Sequence, residues 1–245
     1  MLGESNIGAH SRLQEEYQEH QQGADSRILY LRKMYALVFI QLISAAGICH
    51  LAIINQGFAD WIETYVGFTF WAALVILVGI QLSVLFVRQS VSKAPLNIVF
   101  YILHVVCFAF VFANFEIGGD GEMLTHGLYF FSLVIFSLLI HVLFAKNEIT
   151  FQSVALYVLG AVYLATLYSE IFIPDLQGKS LYILSIITVL WGFYNVWENE
   201  TIVGSRNEWS TACPFIGAVS VYLNIFSLFL RLVDLIQSLI VKARA

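Results

Sequence analysis

Val66-Gly67-Phe68-Thr69-Phe70-Trp71-Ala72-Ala73-Leu74-Val75-Ile76-Leu77-Val78-Gly79-Ile80-Gln81-Leu82-Ser83-Val84-Leu85-Phe86-Val87 runs without a single charge until Arg88. A helix rises about 1.5 Å per residue, so a run of this length crosses the roughly 30 Å hydrocarbon layer of a bilayer. Working outward, Leu96–Phe115 repeats the pattern, and Met34–Ile54, Met123–Phe144, Ile149–Ser169, Ser180–Glu198 and Ala212–Ile240 complete seven candidate spans. The last is long enough to tilt, kink or run into the interface. With 59% hydrophobic residues, 12% charged and a mean hydropathy of +0.79, the composition excludes an ordinary soluble protein. The fold class is an all-α integral membrane protein. Connections of a few to about a dozen residues predict antiparallel neighbours in one bundle.

Two regions follow: a polar N-terminal tail, 1–31, and a seven-helix membrane domain, 32–245. The tail carries Glu15, Glu16, Glu19 and Asp25 among Gln14, Gln18, Gln21 and Gln22. Such a segment is expected to be disordered unless a partner subunit holds it. It has neither the pattern of a secretory signal peptide nor that of a mitochondrial presequence, so targeting is expected from the first span or from internal information.

Basic residues near span ends set the orientation. Arg12, Arg27, Arg32, Lys33, Arg88, Lys93, Lys146 and Arg206 lie on one side, and Lys179, Lys242 and Arg244 on the other. This places the N-terminus on the cytoplasmic or matrix side and the C-terminus opposite. The third loop, with Glu116, Asp120 and Glu122 and no basic residue, agrees. The sequon Asn199-Glu200-Thr201 then faces the unglycosylated side. A net charge of −5 without a basic stripe argues against nucleic acid. Cys49, Cys107 and Cys213 sit in apolar stretches and read as buried small hydrophobes.

Several patches resemble the transmembrane BAX inhibitor motif family, also called the Bax-inhibitor or Lifeguard family. Arg32-Lys33-Met34-Tyr35-Ala36-Leu37-Val38-Phe39-Ile40-Gln41-Leu42 is similar to the start of that family's first helix, and Pro95-Leu96-Asn97 to the start of its third. Phe144-Ala145-Lys146-Asn147-Glu148-Ile149-Thr150-Phe151 resembles its fourth loop, and Ile202-Val203-Gly204 the end of its sixth helix. Ala218-Val219-Ser220-Val221-Tyr222-Leu223-Asn224-Ile225-Phe226-Ser227-Leu228-Phe229 resembles the seventh-helix signature. The resemblance implies a seven-helix bundle with the last helix central. It also implies an association with pH-sensitive calcium leak and protection from cell death. Two aspartates carry that chemistry in the family, one ending helix six and one in helix seven. Two neighbouring carboxylates in a low dielectric cannot both ionise cheaply, which makes such a pair responsive to pH and to cations.

The match breaks at those positions. The family's aromatic-Asp-Thr-Gln stands here as Trp197-Glu198-Asn199-Glu200, and its Tyr-Leu-Asp as Tyr222-Leu223-Asn224. A glutamate that many members carry in helix three falls, counting from Pro95, near Phe108. Glu198 and Asn224 are therefore the ion-pathway candidates, with a Glu198–Asn224 hydrogen bond expected to close the bundle.

Trp191, Tyr194, Asn195 and Glu198 share a helical face, which adds Asn195 as a secondary candidate. An ionisable group at membrane depth is a functional hypothesis, yet Glu198 lies at a span end where a carboxylate reaches water. Arg231 and Asp234, at i and i+3, are further secondary candidates and read first as an intrahelical ion pair. His50, His104, His126 and His141 share no ligand spacing. His104 is expected to be a hydrogen-bonded interior residue, and no metal is expected. Tyr129-Phe130-Phe131, Trp61, Tyr65 and Trp71 suit interfacial belts and lipid-facing packing. Ser44-Ala45-Ala46-Gly47 and Gly160-Ala161 suit close helix approach.

No nucleophile elbow, phosphate loop or zincin motif is present, so no enzyme and no cofactor are expected. Two readings remain. One is a structural subunit of a larger organelle-membrane assembly, docked through the tail. The other is a calcium or cation leak in which Asn224 acts as a neutral ligand beside Glu198. The mitochondrial inner membrane, endoplasmic reticulum and Golgi all fit, with an assembly role favouring the first.

Overall fold

In hydrocarbon every backbone N–H and C=O must be satisfied within the chain, so each apolar run closes into a helix. The computed structural model describes residues 4–117, 123–145, 151–173, 178–203, 213–219 and 221. Side chains are described within those ranges from Ile28 onward, apart from 66, 85, 88, 89, 123 and 197–203. The helices are α1 (Glu4–Ile54), α2 (Gln56–Phe86), a one-turn α3 (Arg88–Val91), α4 (Leu96–Ile117), α5 (Met123–Phe144), α6 (Phe151–Phe172) and α7 (Lys179–Val203). Among the described residues no strand occurs, and six helices are long and apolar enough to span a membrane. The span expected at Ala212–Ile240 falls mostly outside the described residues. Its first turns, 214–219, are helical.

Through the tail, α1 continues unbroken from Glu4 into the first span. Its Glu and Gln residues are good helix formers, no proline interrupts, and the membrane span supplies the nucleus that a short polar helix lacks. Asn55 alone separates α1 from α2, and its side chain accepts from the Phe58 N–H at 3.0 Å to cap the new helix.

α1 packs on α4 and α5, α2 lies outside α4, and α6 and α7 complete the other side against α5. α2 buries the least of its span and α5 the most. Along α1 the buried stripe is Val38, Leu42, Ala45, Ala46, Cys49 and Ala52, a 3.6-residue period whose small members let α4 approach with Ala109 and Ala113.

The small-residue expectation needs a correction in detail. Ala45, Ala46 and Ala161 are buried, whereas Gly47 and Gly160 are exposed with open space where a Cβ would stand. The close approach lies at Gly192, where an added Cβ would come within 2.6 Å of Val158 Cγ1 and 3.2 Å of Val134 Cγ1. α7 can lie against α6 and α5 there only without a side chain.

Trp61, Tyr65 and Trp71 are exposed, as expected of a lipid-facing belt. Phe130 is not: it is buried with Ala165, Leu181 and Leu184, and Phe131 packs on Trp191 at a ring separation of 4.6 Å. Consecutive residues on a helix cannot all face lipid, and the buried arc of α5 takes these two.

Candidate functional site

Polar side chains in the bundle interior are costly unless they bond one another, so they locate the site. His104 lies nine residues into α4, about 12 Å along the helix from Leu96 and so near mid-span. It is 1% exposed, and its ring nitrogens face glutamines from two other helices. Gln41 of α1 hydrogen-bonds Nδ1, and Gln81 Nε2 lies 2.9 Å from Nε2. Below the imidazole, Phe108 stacks nearly parallel at 6.1 Å and Phe112 follows at 4.4 Å from Phe108. One turn above, the Tyr101 hydroxyl donates to the Leu37 carbonyl at 2.7 Å, fastening α4 to α1. His104 is thus the hydrogen-bonded interior residue that its context suggested. Its partners were missed, although a glutamine in the middle of an apolar run is itself the signal.

A second polar point closes the α4–α5 end. Glu116, read from sequence as a loop acid, is buried, with Oε2 accepting from the Thr125 N–H at 3.1 Å. Thr125 is in the first turn of α5, where N–H groups lack intrahelical partners, so the carboxylate completes that helix. The reason for the difference is that α4 runs two residues past Phe115. At the other end of α5, Arg32 of α1 donates to the carbonyls of Val142 (3.0 Å), Leu143 (3.2 Å) and Ala145 (3.3 Å). An anion at the N-terminus and a cation at the C-terminus both oppose the α5 dipole.

Of the sequence candidates, Asn195 is buried and donates through Nδ2 to the Trp191 carbonyl at 2.8 Å. Glu198 belongs to the backbone of α7, but its side chain lies outside the described residues, as do Asn224, Arg231 and Asp234 entirely. The Glu198–Asn224 hydrogen bond expected from the sequence therefore lies outside the described residues. Cys49, Cys107 and Cys213 are buried free thiols, with Cys213 Sγ 3.3 Å from Asn97 Nδ2. Among the described residues no three His, Cys, Asp or Glu side chains converge as a metal site.

Asn97 belongs to the Pro95-Leu96-Asn97 patch, and its contact ties the start of α4 to the start of the last span. There Phe215 packs edge-on against Tyr101 at 5.5 Å, and Gly217 lies against the Tyr30 hydroxyl so closely that no Cβ would fit. Residues at or beside three of the patches that carried the resemblance, on α1, α4 and the last span, thus lie close together. The chain matches, over residues 27–239, the family described as Inhibitor of apoptosis-promoting Bax1. The protein belongs to the Bax inhibitor family.

Its relatives within and around that family are distant. An uncharacterised protein of Campylobacter jejuni is 23% identical over 216 residues, 86% of this chain and 88% of the relative. Protein LIFEGUARD 1 of Arabidopsis thaliana is 20% identical over 228 residues, 91% and 94% of the two chains. Protein LIFEGUARD 4 of the same plant is 21% identical over 215 residues, 85% and 84%. No solved structure matches the chain. For a Bax inhibitor family member, the interior described here is dominated by neutral hydrogen-bonding groups, with Glu116 committed to a helix end.

Proposed function

We propose that the protein is a non-enzymatic structural subunit of a membrane assembly, a Bax inhibitor family member whose ion-leak centre has degenerated. The observation that carries this reading is Phe108. Where the resemblance places a glutamate, a buried phenyl ring lies between His104 and Phe112. A hydrocarbon ring packed on both faces offers a cation nothing to coordinate and fills the space a carboxylate would leave hydrated. Asn224, in place of the second aspartate, removes the other titrating partner.

The rest of the reading has separate support. A seventh helix at the bundle centre is favoured by burial of residues 216–219 and 221, the start of the last span. A docking role for the tail, 1–31, is favoured by α1, whose helix carries the tail outward from the membrane as a continuous arm. The N-terminus belongs on the cytoplasmic or matrix side, because Arg32 reaches the α5 end next to Lys146, on the basic side. An organelle membrane, with the mitochondrial inner membrane first, suits an assembly subunit. Fractionation against endoplasmic reticulum and Golgi markers decides the compartment.

A second reading has one observation in its favour. Asn195 is buried one turn before Glu198 on α7, so that face of the helix turns inward. In this reading Glu198 and Asn224 line a calcium or cation leak, with the protection from cell death that the family's description suggests. Reconstitution in liposomes separates the two. A calcium flux abolished by Glu198→Gln overturns the structural reading. Absence of flux, with recovery of a stable complex that is lost on deleting residues 1–27, supports it.

A further inference from the structure

The Gln41–His104–Gln81 arrangement has a capacity that neither reading uses. A neutral imidazole has one N–H and one lone pair, whereas each glutamine amide can present either its NH2 or its oxygen after a half-turn that leaves its shape unchanged. With both amide nitrogens toward the ring, Gln41 Oε1 and Gln81 Oε1 are buried without a hydrogen-bond partner among the described residues. Gln41 is fully buried, so its oxygen has no recourse to solvent. A neutral ring can engage only one of these oxygens, through its single N–H. An imidazolium has two N–H groups and can engage both.

We infer that Gln41, His104 and Gln81 form a proton-uptake switch across α1, α4 and α2, in which the ring takes a second proton and both glutamines turn their oxygens onto it. The proton comes from the aqueous phase, an N–H bond forms at the lone-pair nitrogen, and the cluster gains one positive charge. Nothing is oxidised or reduced. Among the described residues the titratable groups on the elements around it are few, and α5, which packs on α1 and α4, carries His126, Tyr129 and His141. On α4 itself Tyr101 and Cys107 lie within one turn of His104. On α1 the nearest in sequence to Gln41 are Tyr35 and Cys49. α2 carries none from Thr69 to Phe86, and the start of the last span contributes Cys213. Glu116 is twelve residues further along α4, about 18 Å away, and engaged with Thr125.

The consequence goes beyond a structural role and does not depend on it. Each state of the switch requires a different set of amide orientations, so proton uptake changes the hydrogen bonds that join α1 and α2 to α4. The positive charge it creates also opposes passage of any cation through that part of the bundle.

The test is NMR of the full-length protein in lipid nanodiscs, with ¹⁵N in histidine and glutamine side chains, from about pH 8 to about pH 3.5, because burial disfavours the charged ring. The His104 ring signals are identified by their loss in His104→Asn. The expected result is conversion of the ring from one protonated nitrogen to two, with the Gln41 and Gln81 amide signals shifting at the same midpoint. Gln41→Leu should abolish the coupled shift of Gln81. A ring that keeps a single protonated nitrogen throughout overturns the inference. So does a ring that titrates while both glutamine signals stay fixed.

Discussion

The side of the bundle formed by α1, α2 and α4 and the side formed by α5, α6 and α7 are joined by different chemistry. In the first, long polar side chains cross between helices: Gln41 and Gln81 to His104, and Tyr101 to the Leu37 carbonyl. In the second, His141 of α5 meets Ser153 of α6 at 3.0 Å, and the remaining contacts are made by short groups. Ser137 donates to the Tyr157 carbonyl at 3.0 Å, the Thr166 and Ser185 hydroxyls hydrogen-bond each other at 2.8 Å, and Gly192 lets α7 close on Val158. The first arrangement can rearrange its hydrogen bonds without moving backbone, because an amide turns in place. The second cannot, because its fit depends on the absence of atoms. Response therefore belongs to the first side and rigidity to the second.

The largest expected effect breaks the rigid side. Gly192→Val places branched methyl groups against Val158 and Val134, and overpacking of this kind costs about 1–3 kcal/mol. Thermal unfolding in nanodiscs should show the loss, and Val158→Ala in the same chain should restore part of it. An unchanged transition for Gly192→Val would mean that α7 is free to move away and that the contrast between the two sides is false.

Next come the two charges that hold α5 between the sides. Glu116→Ala removes a buried acceptor from the first turn of α5 and should cost about 1–3 kcal/mol, with Glu116→Gln recovering much of it by accepting the same hydrogen bond. Arg32→Gln should cost about 1 kcal/mol, since a cation at a helix C-terminus contributes about 0.3–1 and up to about 2 when partly buried. Hydrogen exchange would separate the two. Glu116→Ala should loosen amides near Thr125, and Arg32→Gln should instead alter the end of α5 near Leu143.

These residues also mark where sequence reading reaches its limit. Spans were legible because the bilayer demands about 20 apolar residues in a row, a requirement visible without knowing any contact. Met123–Phe144 was bounded to the residue. The family was legible because short patches recur in order along the chain. The continuation of α1 through the tail was not legible, since hydropathy changes at residue 28 while helix propensity does not. Glu116 was misjudged for a related reason: composition assigns an acid next to a glycine pair to the loop, and only the depth of α4 shows otherwise. Gly47 and Gly160 were taken for contact points because small residues permit close approach. Which glycine actually meets a neighbour depends on helix rotation, which a single helix's pattern does not contain.

The smallest expected effect sharpens the comparison instead of breaking it. Gln41→Leu deletes one interhelical hydrogen bond, and in membrane proteins such bonds average about 0.6 kcal/mol. The net cost should be near that figure or below it, because the change also removes a buried oxygen without a partner. Combined with Gly192→Ala on the other side, it should add to within about 0.5 kcal/mol, as changes at sites without shared partners do. Combined with Gln81→Leu, it should not add: once His104 has lost one glutamine, the ring has no reason to keep the tautomer that served both. A double-mutant cycle in nanodiscs reads both cases. Coupling between Gln41 and Gln81 with none between Gln41 and Gly192 means the two sides are separate cooperative units, whereas equal coupling means the bundle responds as one body.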